Sequence, residues 1–312
     1  MLKLVLPDSD ALRPLNLLFA DYIAENKDKL MRDTCIEYVY GAPTQCIANG
    51  GRPTVNNTPL QIIQLLIADY AMRGIGYRFV FSNSTITPSQ FNDAQLNAIM
   101  KLNGDTGAIV YRDDFAVYLR ASYPARHLVA SVTKMADVDS LLRMLNGNLY
   151  DVVVWSTEHN DKLNSVPPEL RHKVEVLPID CCPNNCPRRA ICYKECSAFN
   201  NPAADQFGIT LNADPVAPGV YKWYTASHCK NNKVKVEIAQ LKSAYARVHS
   251  KDTFNGVLGV EKIHELVDNG FERIKVEGRS MSTYEMLLNY VELVIKPEYQ
   301  LQAFFDLLCE LN

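Results

Sequence analysis

Short apolar segments alternate with longer amphipathic segments along almost the whole chain. The apolar segments, such as LKLVLP at 2–7 and YRFVFS at 77–82, have the length of buried strands. The segments between them carry apolar residues three and four positions apart. In TPLQIIQLLIADYAMRG, Thr58 is expected to cap the helix, Pro59 to open its first turn and Gly74 to end it. Strands separated by helices of this length predict parallel βαβ units.

The number of these units indicates the architecture. About eight follow one another, which favours an α/β fold of the (β/α)8 TIM-barrel type, with a doubly wound open sheet as the alternative. Because such barrels run as one domain of about 250 residues, we expect a single barrel domain over 1–312. The alternation is interrupted after the seventh strand, KVEVLPI. We interpret 180–233 as a cysteine-rich, metal-binding insertion within the barrel, since loops of this length are usually functional.

Composition and charge narrow the function classes. The chain is 47% hydrophobic and 21% charged, as in ordinary globular proteins, and its net charge of −3 gives no global field for nucleic acid or anionic membrane. The N-terminal apolar run is broken by Pro7 and Asp8, and no run approaches the ~18 residues of a membrane span. We therefore expect a cytoplasmic protein without a membrane partner. Reducing conditions and an odd total of nine cysteines argue against a disulfide framework.

Polar residues follow several of the predicted strands, where a barrel places its chemistry. Arg52 follows the second strand, Asn83 the third and Lys134 the fifth. Glu277 and Arg279 stand two apart on the last strand, so they share a face. Each has a structural alternative to a role in a site: GGRP could be a turn, SNS could cap the next helix, and Glu277 and Arg279 could form an ion pair inside the barrel. A charge inside a barrel needs a partner, either another charge or a ligand. Because Gly278 between Glu277 and Arg279 permits close approach of a ligand, we expect these two to act on a substrate and the other three to help bind it.

The segment IDCCPNNCPRRAICYKECSAFN concentrates reactive side chains. It holds five cysteines: Cys181, Cys182, Cys186, Cys192 and Cys196. The first two are adjacent and point opposite ways in an extended chain, so one of them is expected to be a ligand. The spacing matches neither the C-x2-C pairs of zinc ribbons nor the Cx3Cx2C of radical S-adenosylmethionine enzymes. Four thiolates suit a zinc ion or a [4Fe–4S] cluster, and the spacing leaves both open.

Several stretches together resemble one family. PIDCCPNNCPRRAICY after the seventh strand, FERIKVEGRS as the last strand and VIKPEY after the next helix resemble the collagenase-like peptidase superfamily, peptidase family U32. YRFVFSNS and HLVASVTK also fit its barrel strands, so the resemblance covers most of the chain in order. The chain resembles a divergent branch that is similar to iron–sulfur TIM-barrel proteins supporting hydroxylation without dioxygen, in ubiquinone biosynthesis or on RNA cytidines.

The resemblance implies a cofactor, a ligand set and partners. The cofactor is a [4Fe–4S] cluster, with zinc as the alternative, and Cys181 and Cys196 can replace a ligand. The implied ligands are Cys182, Cys186, Cys192 and Cys229. Glu277 and Arg279 match the family's last-strand motif. An electron-donor protein, a homo- or heterodimer partner and an RNA base or quinone-like aromatic substrate follow, although the charge does not indicate RNA. The alternative is a structural zinc site of four cysteines in a U32-type peptidase or a non-catalytic partner subunit.

Overall fold

The strands of this chain close into a barrel. The computed structural model describes residues 1–178, 189–201, 258–277 and 281–311. Eight parallel strands neighbour one another in chain order and β8 pairs with β1, which confirms the barrel prediction over the open sheet. The strands are β1 (Leu2–Pro7), β2 (Thr34–Gly41), β3 (Gly76–Phe81), β4 (Thr106–Val110), β5 (His127–Ala130), β6 (Val152–Trp155), β7 (Val174–Val176) and β8 (Arg273–Lys275).

Helices in the described residues follow the strands as the pattern predicts, with exceptions after β6, within the cysteine-rich segment, where no helix was predicted, and at the carboxyl-terminal end. They are α1 (Arg13–Glu25), α2 (Leu60–Ala71), α3 (Ala94–Met100), α4 (Asp113–Ser122), α5 (Val138–Asn146), α6 (Arg189–Asn200), α7 (Val260–Asp268), α8 (Thr283–Val294) and α9 (Gln300–Leu311). After β6, 3-10 helices at Thr157–Ser165 and Pro168–Lys173 take the place of an α-helix. The sequence pattern did not predict α9, which packs against α1 and α8.

The sequence predicted the two ends of α2 with different accuracy. Gly74 ends the helical segment as predicted, with a φ of +73° that favours glycine. The start differs by one residue. Pro59 has an extended backbone, with φ −59° and ψ 145°, and takes the cap position, so the helix begins at Leu60. The prediction that Thr58 is the cap and Pro59 the first helical residue is therefore wrong by one position.

Two separate apolar layers explain why the strands are apolar on both faces. One layer packs the outer face of the barrel against the helices. The other fills the barrel interior and includes Val5, Val80, Ile109, Val129 and Val154. Strands covered on both sides read as nearly continuous apolar runs, which is the pattern that the sequence shows.

Some of the predictions concern residues outside the described part of the chain. Cys181, Cys182, Cys186, Cys229 and Arg279 belong to this group, and so do the bounds of the predicted insertion at 180–233. In the ranges that are described, no helix combines the length and the apolar character that crossing a bilayer would need.

Candidate functional site

A small cavity lies at the carboxyl ends of the strands. Its walls towards the barrel interior are apolar and come from Val80, Ile109, Val154 and Leu177. Its polar lining comes from Tyr40, Arg52, Ser82, Ser131, Thr133, Tyr193, Lys275 and Glu277. A cavity volume of about 50 Å³ is room for one or two water molecules or for a small polar group. The mouth of the barrel is therefore polar at its rim, apolar below and narrow.

Arg52 and Glu277, both predicted site residues, meet at this rim. Arg52 Nη2 lies 3.8 Å from Glu277 Oε1, a charge contact longer than a hydrogen bond. Each side chain is 21% exposed, so solvent screens the pair and its contribution to the free energy of unfolding is small. The arrangement joins a guanidinium from the β2–α2 loop to a carboxylate just after β8.

Two glycines place Arg52 there. A Cβ on Gly50 would lie 2.2 Å from the carbonyl carbon and oxygen of Ser82, so only glycine allows this loop to touch the end of β3. Gly51 follows with a φ of +72°. The backbone N–H of Asn83 donates to Ala48 O at 3.0 Å and ties the loop to β3. The NGGRP segment thus forms a turn and also brings the loop backbone into close contact with the end of β3.

A buried ion pair lies next to the rim pair. Lys275 Nζ donates to Glu175 Oε1 at 2.6 Å and sits 3.9 Å from the centre of the Tyr40 ring. The Tyr38 hydroxyl donates to the other oxygen of this carboxylate. Glu175 is 0% exposed and Lys275 5%, so both ions have left water and depend on each other. Burial, reinforced by Glu175, raises the pKa of Tyr38 well above its usual value, so the phenol is a donor at neutral pH.

The carboxyl-terminal end of α6 is fixed over the mouth by hydrogen bonds. The backbone N–H of Thr54 donates to Asn200 Oδ1, and Asn200 Nδ2 donates to Arg52 O, both at 2.8 Å. The backbone N–H of Ser84 donates to Ser197 Oγ at 3.0 Å. The loops that carry the site residues and the helix that covers them are therefore one connected structure.

The amino-terminal end of α6 is held by charge. Arg189 Nη1 lies 3.1 Å from Glu158 Oε1, and the Arg189 side chain is almost fully buried. Glu158 follows β6, so the two ends of α6 attach to different sides of the barrel. The helix consequently spans the mouth, and its residue Tyr193 lines the cavity.

Asn83 is occupied by contacts within the protein. Its Nδ2 donates to Ile47 O at 2.7 Å and to Ser197 O at 2.9 Å. Its Oδ1 accepts from the backbone N–H of Thr85 at 2.7 Å and from the Thr85 hydroxyl at 2.8 Å. The side chain predicted to bind substrate therefore connects the β2–α2 loop, the β3–α3 loop and α6.

Lys134 lies outside the mouth cavity. Its Nζ donates to Tyr111 O and to Asp113 Oδ1, the latter at 2.7 Å, and lies 5.3 Å from the centre of the Tyr150 ring. Burial lowers the pKa of Lys134, and Asp113 opposes the shift. The residue lines two outer cavities of about 490 and 700 Å³, and the smaller one reaches Tyr193. The structure thus separates Lys134 from Arg52 and Glu277.

Cys192 and Cys196 both lie on α6, directly after β7 in the chain, and Cys192 precedes Tyr193. Cys192 is half-buried and Cys196 is buried one turn later. Burial raises the pKa of the Cys46 thiol, in the β2–α2 loop, to about 12, as for a small apolar core residue.

The fit of a metal to these residues is partial. A half-buried thiol suits a thiolate ligand, and Cys192, next to the cavity-lining Tyr193 in the chain, is the predicted ligand that the structure describes. In the described ranges, no three His, Cys, Asp or Glu side chains are grouped as a metal site. A metal at Cys192 would thus take most of its ligands from the cysteines outside those ranges.

Comparisons with known proteins add the following. No protein-family model matches the chain, and no curated protein matches it. Among solved structures the chain is similar to a U32 peptidase, Mk0906, with 13% sequence identity over 88% of this chain and 92% of that one, at a TM-score of 0.48. That protein is from the family that the sequence motifs resemble.

Proposed function

We propose that this protein is an iron–sulfur enzyme whose cluster supports a dioxygen-independent hydroxylation or a related modification at the barrel mouth. The observation that supports it is the place of α6. Cys192 directly precedes Tyr193, and Tyr193 lines the same cavity as Arg52 and Glu277. A predicted thiolate ligand thus lies one residue along α6 from the lining of the cavity that holds the ionisable pair, although the two come from distant parts of the sequence.

The ligands would be Cys182, Cys186, Cys192 and Cys229, with Cys196 or Cys181 as a replacement. A bound [4Fe–4S] cluster would supply one-electron transfer at a potential set by nearby charge and solvent access. The substrate would be an RNA base or a quinone-like aromatic ring, and an electron-donor protein and a homo- or heterodimeric partner would complete the system.

The protein's own residues would bind and orient the substrate. Arg52 and Glu277 form a weak pair at 3.8 Å, so each can exchange its partner for a substrate group with little loss of stability. Arg279, two residues after Glu277, would add a second guanidinium. The helix α6, fixed at both ends, would limit access of water to the mouth.

Metal analysis tests the proposal directly. The wild type, Cys192→Ala and Cys309→Ala are purified without oxygen and assayed for iron, sulfide, zinc and visible absorption. Cys309 is exposed on α9 and serves as the matched control. We expect about four iron and four sulfide per chain in the wild type and the control, and absorption near ~400 nm that dithionite bleaches. We expect Cys192→Ala to lose most of both.

Two outcomes would contradict the proposal. If anaerobically purified wild type contains no iron, the protein holds no cluster. If iron persists in Cys192→Ala, Cys192 is not a ligand and the cluster is not linked to the mouth through this residue. About one zinc per chain, lost on chelation with unfolding, would instead indicate a structural site. The alternatives would then be a U32-type peptidase and a non-catalytic partner subunit, and a Glu277→Gln variant assayed on peptides would separate them.

A further inference from the structure

We infer that the mouth cavity binds its ligand through a carbonyl or carboxylate oxygen, which Lys275 and Ser82 contact as hydrogen-bond donors. The inference uses the proposed function only to place the ligand at the mouth. It adds two contact residues and the chemistry of the group that they recognise.

Lys275 has a donor left for a ligand. An ammonium group carries three N–H donors. One N–H donates to Glu175 Oε1, and the face of the Tyr40 ring covers the ammonium group where a second N–H would point. The described residues supply no acceptor for the third, and Lys275 lines the cavity. Because the bond to Glu175 fixes the ammonium, the donor is held in place without a bound ligand.

Ser82 supplies a second donor. The residue is 2% exposed, and its Oγ has no hydrogen-bond partner within the described residues. A buried hydroxyl without a partner is destabilising by roughly 1–3 kcal/mol, so such groups in native proteins call for an explanation. The hydroxyls of Ser131 and Thr133, in the same cavity wall, are 2.8 Å apart and bond to each other. That pair keeps one O–H to donate, whereas the Ser82 hydroxyl has no partner in the described residues, so Ser82 is the hydroxyl of this wall that gains most from a ligand.

The balance of donors and acceptors selects an oxygen acceptor as the ligand group. Both oxygens of Glu175 already accept, from Tyr38 and from Lys275. Arg52 and Glu277 neutralise each other, as do Lys275 and Glu175, so the charges of the two pairs sum to zero. A neutral carbonyl and a singly charged carboxylate both suit this site. The apolar walls below would hold the carbon atoms of the ligand.

Saturation-transfer NMR with small probes tests this on the full-length protein. The probes are acetate, acetamide and ethylammonium, which compare a carboxylate, a carbonyl and a group without an acceptor. Lys275→Met alone would leave a buried, uncompensated Glu175, so the variant is Lys275→Met/Glu175→Leu, which replaces the pair by apolar groups of similar size. Ser82→Ala is compared with Ser84→Ala, because both Oγ atoms are unpartnered and both residues line the smaller outer cavity, but only Ser82 also lines the mouth cavity.

We expect saturation transfer from the protein to the acetate methyl, the acetamide methyl or both, and no saturation transfer to ethylammonium. Transfer to acetamide identifies a carbonyl site, and transfer to acetate alone identifies a carboxylate site. Binding should weaken about tenfold or more in the double variant and severalfold in Ser82→Ala, as for a lost hydrogen bond, and stay unchanged in Ser84→Ala.

Equal binding by wild type and the folded double variant would overturn the inference, and so would the absence of transfer in wild type. The readout does not depend on metal content. If anaerobically purified protein holds no iron, the proposed cluster fails, and Lys275-dependent binding by that same protein leaves this inference intact.

Discussion

Replacing Asn83 by alanine separates the two roles that this residue can have. From the sequence, Asn83 is expected to bind substrate, whereas in the structure its side chain joins Ile47, Thr85 and Ser197. A substrate-binding residue can be removed with little effect on stability. A residue that connects two loops and a helix cannot, so the free energy of unfolding distinguishes the roles.

The structure sets the expected magnitude. Asn83 makes four hydrogen bonds, two as donor and two as acceptor, and the residue is fully buried. At about 1 kcal/mol net for each bond, partly offset by relaxation, Asn83→Ala should lower the free energy of unfolding by about 3 kcal/mol. Asn146→Ala is the matched control. Its amide makes one exposed bond, to Leu142 O at 2.9 Å, and its loss should change stability by less than about 0.5 kcal/mol.

Urea unfolding measures the global effect, and amide hydrogen exchange locates it. The backbone N–H groups of Ser84 and Thr54 donate to Ser197 and Asn200 of α6, so detachment of the helix should expose both to exchange. If Asn83→Ala unfolds within about 0.5 kcal/mol of wild type and keeps this protection, the side chain does not fix α6 and the substrate-binding role regains support.

Two further predictions concern the loop and the strand end beside the site. Gly50→Ala would place a Cβ 2.2 Å from the Ser82 backbone, so we expect thermal unfolding to show a loss of about 1–3 kcal/mol of stability, the range for overpacking. Gly259→Ala, where the space is open and only the helix cap changes, should lose less than about 1 kcal/mol. Burial raises the pKa of Asp8, although Arg13 and two tyrosine hydroxyls oppose it. The folded protein thus holds this proton more tightly than the unfolded chain. This contribution to stability is complete below the unfolded value of 3.8 and is lost as the pH rises through the folded pKa. Asp8→Asn should flatten the curve of stability against pH in that window, and an unchanged curve would contradict the reasoning.

Much of the architecture could be predicted from local pattern. The strand LKLVLP ends where predicted, and the helix predicted in TPLQIIQLLIADYAMRG appears as α2 with its ends trimmed. These elements follow from side-chain periodicity, which is a property of neighbouring residues. The helix α9 was not predicted, because VIKPEY indicates the end of the preceding helix, α8. Only packing against α1 and α8 shows that Ala303 and Leu307 face a core.

The candidate site shows a different limit. The sequence predicted that polar residues would meet at the ends of the strands, and Arg52 and Glu277 do meet there. It gave no sign that Lys134 would turn to the outer surface towards Asp113. A side chain at a strand end can point into the mouth or over the rim, and the backbone after the strand decides which. Here a 3-10 turn at Val132–Lys134 directs Lys134 outward.

By itself, the sequence determined the order of strands and helices, their parallel arrangement and the positions where polar groups follow the strands. Only the tertiary structure decided that Glu175, in the apolar-looking strand KVEV, faces the barrel interior and holds Lys275. The physical reason is that a barrel strand is buried on both faces. The alternation of apolar and polar residues that would assign each side chain to a face is therefore absent, and closure of the sheet makes the choice.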